Sequence, residues 1–227
     1  EAFRYAEAVT TYLAIALARY AVFNSIVAPI RADTIMGAIV AGSLTFRGIA
    51  MVWNYGEISP FTDITGSLVR NIKCICSGLS YLVSAVSGSS SEVRVLMDDA
   101  TMFSKIGGEK FDLIVTDPPY RDDVAYAELS DFYFVWLKRA LSDVVDNQLH
   151  PRFHGDLFFI DGVEVSTQWE WFSSREVSLN TGRFKHFGLA KSDDEGDLVY
   201  RSLLSKSFQA MVEHLKDDGL IITYFAQ

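Results

Sequence analysis

The sequence predicts an α/β fold: a parallel sheet preceded by added helices. Three observations carry this prediction. The first third is rich in Ala, with apolar residues recurring at three- and four-residue spacing. The middle shifts to short β-branched runs separated by a short helical stretch. The end repeats the order helix, turn, strand. Strand, helix, strand is the pattern of a parallel sheet.

Taken in order, Glu1 to about Ile30 predicts a buried packing helix, with Tyr5, Val9, Leu13, Leu17 and Tyr20 on one stripe and Pro29 at its end. A second helix is expected from about Asp33 to Tyr55, weakened by Gly37, Gly42 and Gly48. Trp53 and Tyr55 are read as packing its end; the other reading is an aromatic wall beside a site. Ser67 to about Val86 predicts a third helix. Ser87-Gly88-Ser89-Ser90-Ser91 follows as a flexible joint.

Val93 to Met97 reads as a strand ending at Asp98-Asp99-Ala100, with a short helix over Met102 to Ile106 and a turn at Gly107-Gly108. Phe111 to Thr116 is the next strand. A helix is expected from about Asp123 to Leu141, its aromatic stripe forming core. Residues 142–196 read as an irregular insert, the kind of segment that serves substrate recognition or forms loose surface. Leu198 to Leu215 closes as a helix, followed by an Asp217-Asp218-Gly219 turn and a third strand from Leu220 to Phe225. The whole chain, 1–227, is expected to form a single domain: 1–86 mainly helical and 92–227 α/β.

The bulk properties narrow the function classes. The chain has 227 residues, 49% apolar and 22% charged, a balance that can fill a core. Its net charge of -9 argues against tight nucleic-acid binding by the chain alone, since phosphate contacts supply most of such affinity. Cys74 and Cys76 are too few for a disulfide framework and wrongly spaced for a zinc knuckle. That usage, with no signal peptide, predicts a cytoplasmic protein. Arg19, Arg31 and Asp33 break the apolar runs, so no membrane span is expected. His150 and His154 have i, i+4 spacing, but Pro151 and Gly155 argue against a helix there, and no metal is expected.

The stretch that carries chemistry is Phe111-Asp112-Leu113-Ile114-Val115-Thr116-Asp117-Pro118-Pro119-Tyr120. It is a strand that stops at an acid, two prolines and a tyrosine. It resembles the catalytic motif of the amino-group methyltransferases that use S-adenosylmethionine. Asp117 to Leu137, Thr11 to Leu17, Trp53 to Phe61 and the Asp218-Gly219-Leu220 strand are similar to the family of putative adenine-specific DNA methylases. The resemblance implies a Rossmann-like methyltransferase core. It implies S-adenosylmethionine as cofactor and double-stranded DNA as substrate, with the base flipped out of the helix.

An exocyclic amine such as adenine N6 is a poor nucleophile, because its lone pair is delocalised into the ring. It needs acceptors for its hydrogens and a ring held still. Asp117 and the Pro118 carbonyl can accept, Pro119 stiffens the turn, and Tyr120 offers a face for stacking. Catalysis is then positioning and hydrogen bonding. By the resemblance, Asp98, Asp99 and Thr116 lie at the cofactor, and Tyr126 and Arg121 at the substrate. For the acidic pair, a simple turn after a strand is an equal reading. Arg121 stands where the family often has an aromatic residue. The family's Phe-x-Gly-x-Gly cofactor loop has no counterpart here, and the expectation is that it lies upstream of Glu1. Three rivals share the motif chemistry: cytosine N4, an RNA base and a protein glutamine. A fourth is a non-catalytic binding module that keeps the fold.

Overall fold

In the computed structural model, residues 1–33, 37–44, 52–119 and 124–224 are described. Among the described residues the protein is mixed α/β, with 45% helix, 16% strand and one parallel pair of strands. Helix α1 spans Ala2–Phe23. It buries small residues, Ala14, Ala16, Ala18 and Ala21, and leaves Tyr5, Val9, Leu13 and Leu17 exposed. The stripe of large residues taken for its buried side is therefore its outer side. By length and composition alone α1 could also cross a membrane, Arg19 notwithstanding.

Among the described residues of 33–55, the helix expected over Asp33 to Tyr55 is not formed. Strands β1 (Ile30–Asp33) and β2 (Gly37–Val40) make an antiparallel hairpin instead. The cause is local: Gly37 disfavours helix, whereas Ile39 and Val40 are β-branched. Tyr55 bridges back to Pro29, and Gly56 sits so close that a Cβ would collide with the Val40 side chain. Trp53 is 88% exposed, so the packed helix end expected there is corrected. Residues 34–36 and 45–51 lie outside the described residues.

Helix α2 (Leu68–Val86) starts at Ser67, whose hydroxyl accepts from the Arg70 N–H at 3.1 Å. Gly66, at φ 88°, aims the chain into that cap. Val93 to Met97 forms no strand, and Met102 to Ile106 forms turns rather than a helix. A strand exists only when its backbone is paired. Val93 to Met97 has no ladder partner, and Val95 is 91% exposed.

Strand β3 (Phe111–Thr116) and helix α3 (Tyr126–Leu141) form as expected. The insert is more ordered than its composition suggests. Strands β4 (Ser142–Val145) and β5 (Gln148–Pro151) close over Asp146-Asn147, both at positive φ. Helix α4 (Gly155–Phe158) leads to strands β6 (Phe159–Ile160) and β7 (Val163–Glu164), which close over Asp161-Gly162 in the same way. Two central residues at positive φ are the two-residue hairpin turn that matches strand twist. Helices α5 (Trp169–Ser173) and α6 (Thr181–His186) follow. Helix α7 (Asp193–Glu213) is capped by Ser192, with Asp193, Asp194 and Glu195 favourably placed in its first turn. Strand β8 (Leu215–Thr223) follows α7.

These elements form two compact units. The first comprises Glu1–Ser90 and Glu128–Gln168. Its apolar cluster joins Ala14, Leu141, Phe153, Phe158 and Phe159, flanked by Phe134 and Leu137. Asn71 donates to the Ala16 carbonyl at 3.4 Å, tying α2 to α1. Lys138 is buried there against Glu164 at 2.7 Å and donates to the Val165 carbonyl at 2.7 Å.

The second unit comprises Ser91–Ala127 and Trp169–Gln227. Strands β3 and β8 pair in parallel, Ile114 opposite Ile221 and Thr116 opposite Thr223. The register shifts between Phe111 and Leu113, so β8 bulges between Leu215 and Leu220. The expected third strand of the sheet is therefore its second. Neither strand contributes a buried residue.

Candidate functional site

The β-branched residues Ile114, Val115 and Thr116 extend the chain, and Pro118 and Pro119 stop it. Proline has no N–H to give a ladder and pushes the residue before it towards extended geometry. Asp117 is therefore the first residue past the carboxyl end of β3. It is exposed, while Thr116, Pro118 and Pro119 are half-buried. The Tyr224 N–H donates to the Thr116 carbonyl at 3.0 Å, which carries the β3–β8 pairing up to the motif. Ligands of open parallel sheets gather beyond the carboxyl ends of the strands, which is where Asp117 stands.

The other end of the pair is fixed separately. The Phe111 N–H donates to the His214 carbonyl at 2.8 Å, and His214 Nδ1 lies 2.9 Å from the Glu109 carbonyl. Lys110 donates to the Glu213 carbonyl. A pocket of about 600 Å³, lined by Glu92, Arg94, Leu96, Ile106, Glu109 and Phe111, lies at this amino end of β3. It is thus separated from Asp117 by the length of the strand, ~17–20 Å.

Asp98 and Asp99 organise the turn they sit in. Asp98 accepts from the Asp99 N–H at 2.8 Å, the Ser104 hydroxyl at 2.7 Å and the Lys105 N–H at 2.6 Å. Asp99 accepts from both the N–H and the hydroxyl of Thr101. The Lys105 N–H and then the Ser104 hydroxyl hold the Asp98 carboxyl below its ordinary range. The sign follows from that depression. The turn's contribution to stability is present above the unfolded value of about 3.9 and is lost as pH falls through the lower folded value. NMR titration of the Asp98 carboxyl should therefore give a midpoint below that of a free aspartate. Ser104→Ala should raise this midpoint. A midpoint at or above the free value would mean that the turn is not closed in solution.

Tyr126 opens α3 and is exposed. Tyr120 and Arg121 lie outside the described residues. Among the described residues no group of three or more His, Cys, Asp and Glu side chains could hold a metal. His154 instead contacts Thr11, Nε2 to Oγ1 at 2.9 Å. Sequence reasoning missed a buried ion pair in the second unit, Arg183 Nη1 to Glu176 Oε1 at 3.1 Å. The Asn180 cap of α6 was the only local sign of order there.

Compared with protein-family models, with curated proteins and with solved structures, the chain shows no significant match.

Proposed function

We propose that the chain carries the amine-facing half of an S-adenosylmethionine-dependent methyltransferase with a Rossmann-like core, acting on an exocyclic amine, adenine N6 in DNA first among them. One observation supports this reading above the others: Asp117-Pro118-Pro119 follows directly on the carboxyl end of a strand in a parallel pair. The Asp117 carboxylate accepts a hydrogen bond from one amine N–H and the Pro118 carbonyl from the other, which favours a pyramidal nitrogen. Tyr120 stacks on the extruded base, worth ~1–3 kcal/mol by analogy with other base–aromatic contacts. The net charge of -9 leaves the grip on phosphate to other surfaces.

The residues fit the cofactor less well. S-adenosylmethionine would supply the electrophilic methyl, but the carboxylates of Asp98 and Asp99 are engaged by their own turn. No glycine-rich loop follows a strand among the described residues. The same observation favours the second reading, a methyltransferase-like binding module without activity. Calorimetry separates them in part. This chain should bind S-adenosylmethionine no more tightly than ~100 μM, a few kcal/mol short of a working site. Tight one-to-one binding would show that a cofactor cradle is present after all. The function itself is tested by methyl incorporation from labelled cofactor into unmethylated DNA by the full-length gene product. Adenine-free and cytosine-free duplexes distinguish N6 from N4 transfer. No incorporation into any DNA would remove the DNA reading.

A further inference from the structure

We propose that Glu176 is a positioning residue: it pins the far end of the loop that carries Asp117. That loop leaves β3 at Thr116, where Tyr224 holds the carbonyl at 3.0 Å. It ends at the start of α3, where the Ala127 N–H donates to Glu176 Oε2 at 2.8 Å. Ala127 is buried. Both anchors of the loop therefore come from sequence far downstream of it, all within the second unit.

Glu176 does not hold this position by itself. Its second oxygen meets Arg183 Nη1 at 3.1 Å and accepts from the Ser178 hydroxyl. Arg183 also donates to that hydroxyl at 3.2 Å. The Arg183 side chain is 2% exposed and the Glu176 side chain 11%. Asn180 Oδ1 accepts from the Arg183 N–H at 3.0 Å and so fixes the helix turn from which Arg183 projects.

A buried ion pair is a poor means of adding stability, because removing both charges from water costs as much as their attraction returns. What such a pair can do is select one conformation. Here it selects the conformation in which the chain reaches Ala127, ten residues after Asp117. Part of the insert between α3 and α7 is then a brace for the motif. The consequence for catalysis rests on the reading of Asp117 as amine acceptor, but the brace itself does not.

The test compares two double variants of the full chain. Glu176→Gln with Arg183→Met removes both buried charges and keeps an oxygen for Ala127. Glu176→Ala with Arg183→Met removes the charges and the oxygen together. Each removes the Glu176 and Arg183 charges together, so neither leaves one member of that pair buried alone. The Ala127 amide should exchange with solvent about tenfold or more faster in the alanine variant than in the glutamine variant, as the loss of one such hydrogen bond implies. Amides of α7 should exchange equally in both. Equal Ala127 exchange, or faster exchange spread across α7 as well, would overturn the proposal.

In methyl transfer by the full-length gene product, the alanine variant should lose ~10–100-fold in kcat relative to the glutamine variant, with KM for S-adenosylmethionine unchanged. Faster Ala127 exchange with unchanged kcat would overturn the positioning role and leave Glu176 a structural cap only. If the unsubstituted protein transfers no methyl group, the functional reading fails, and the exchange experiment alone decides whether the brace exists.

Discussion

Replacing Asp117 with alanine is expected to lower methyl transfer to adenine by about 10²–10³-fold, the usual cost of removing one well-placed group that stabilises charge in a transition state. The loss should appear in kcat. Asp117 lies past the end of β3 and is exposed, so its removal opens no cavity. Melting temperature should fall by no more than about 4–8 °C, the shift that ~1 kcal/mol gives in a small unit. Asp117→Asn should retain more activity than Asp117→Ala, because a carboxamide oxygen can still accept from the amine. Single-turnover incorporation of a labelled methyl group is the appropriate measurement, since it removes product release from the rate. Equal rates for Asp117→Ala and the unsubstituted protein would end the assignment of Asp117 as acceptor, whatever the substrate.

Phe184→Ala should be the most destabilising single truncation in the second unit, by about 3–5 kcal/mol. Phe184 is 0% exposed, and its carbonyl accepts from Leu189 at 2.8 Å and Ala190 at 3.3 Å as the chain leaves α6. Truncation opens a cavity of most of a benzene ring between α6 and the chain that wraps back over it. Trp171→Ala is the control. Trp171 is exposed, its ring meeting the Arg175 guanidinium at 4.5 Å and the edge of the neighbouring Phe172 ring at 5.0 Å, so its loss should cost about 1 kcal/mol. Urea unfolding followed by near-ultraviolet circular dichroism reads both. A Phe184→Ala midpoint shift no larger than that of Trp171→Ala would show that α6 is not a packed element.

The parts of this protein legible in sequence are those set by neighbours along the chain. β3 was visible because Ile114 and Val115 favour strand and Pro118 ends it. α2 was visible because Ser67 caps it three residues before Arg70. The hairpins of the insert were legible in principle through Asp146-Asn147 and Asp161-Gly162, but the surrounding aromatics and Pro151 obscured their short strands. Val93 to Met97 misled for a different reason. Its residues favour strand, yet strand formation needs a second backbone, and propensity does not supply one. The hairpin at Ile30 to Val40 misled because an Ala-rich helix precedes it and Ala38 reads as its continuation. Glu176 and Ala127 were beyond reach, since 49 residues separate them and neither carries a local signal for the other. For the candidate site, the chemistry of Asp117 was legible and its support was not.

The pairing of β3 with β8 joins residues as far apart as Leu113 and Leu220, 107 positions along the chain. During synthesis β3 must wait for its partner while those residues are added, roughly 5–20 s at ordinary translation rates. A run such as Leu113-Ile114-Val115, unpaired for that time, is a template for association with other chains. The residues beside it serve as gatekeepers. Asp112 and Asp117 place charge at both ends, and Pro118 and Pro119 prevent extension of any foreign ladder past Thr116. The motif proposed to receive an amine in the folded protein would thus also protect the nascent chain before there is a fold.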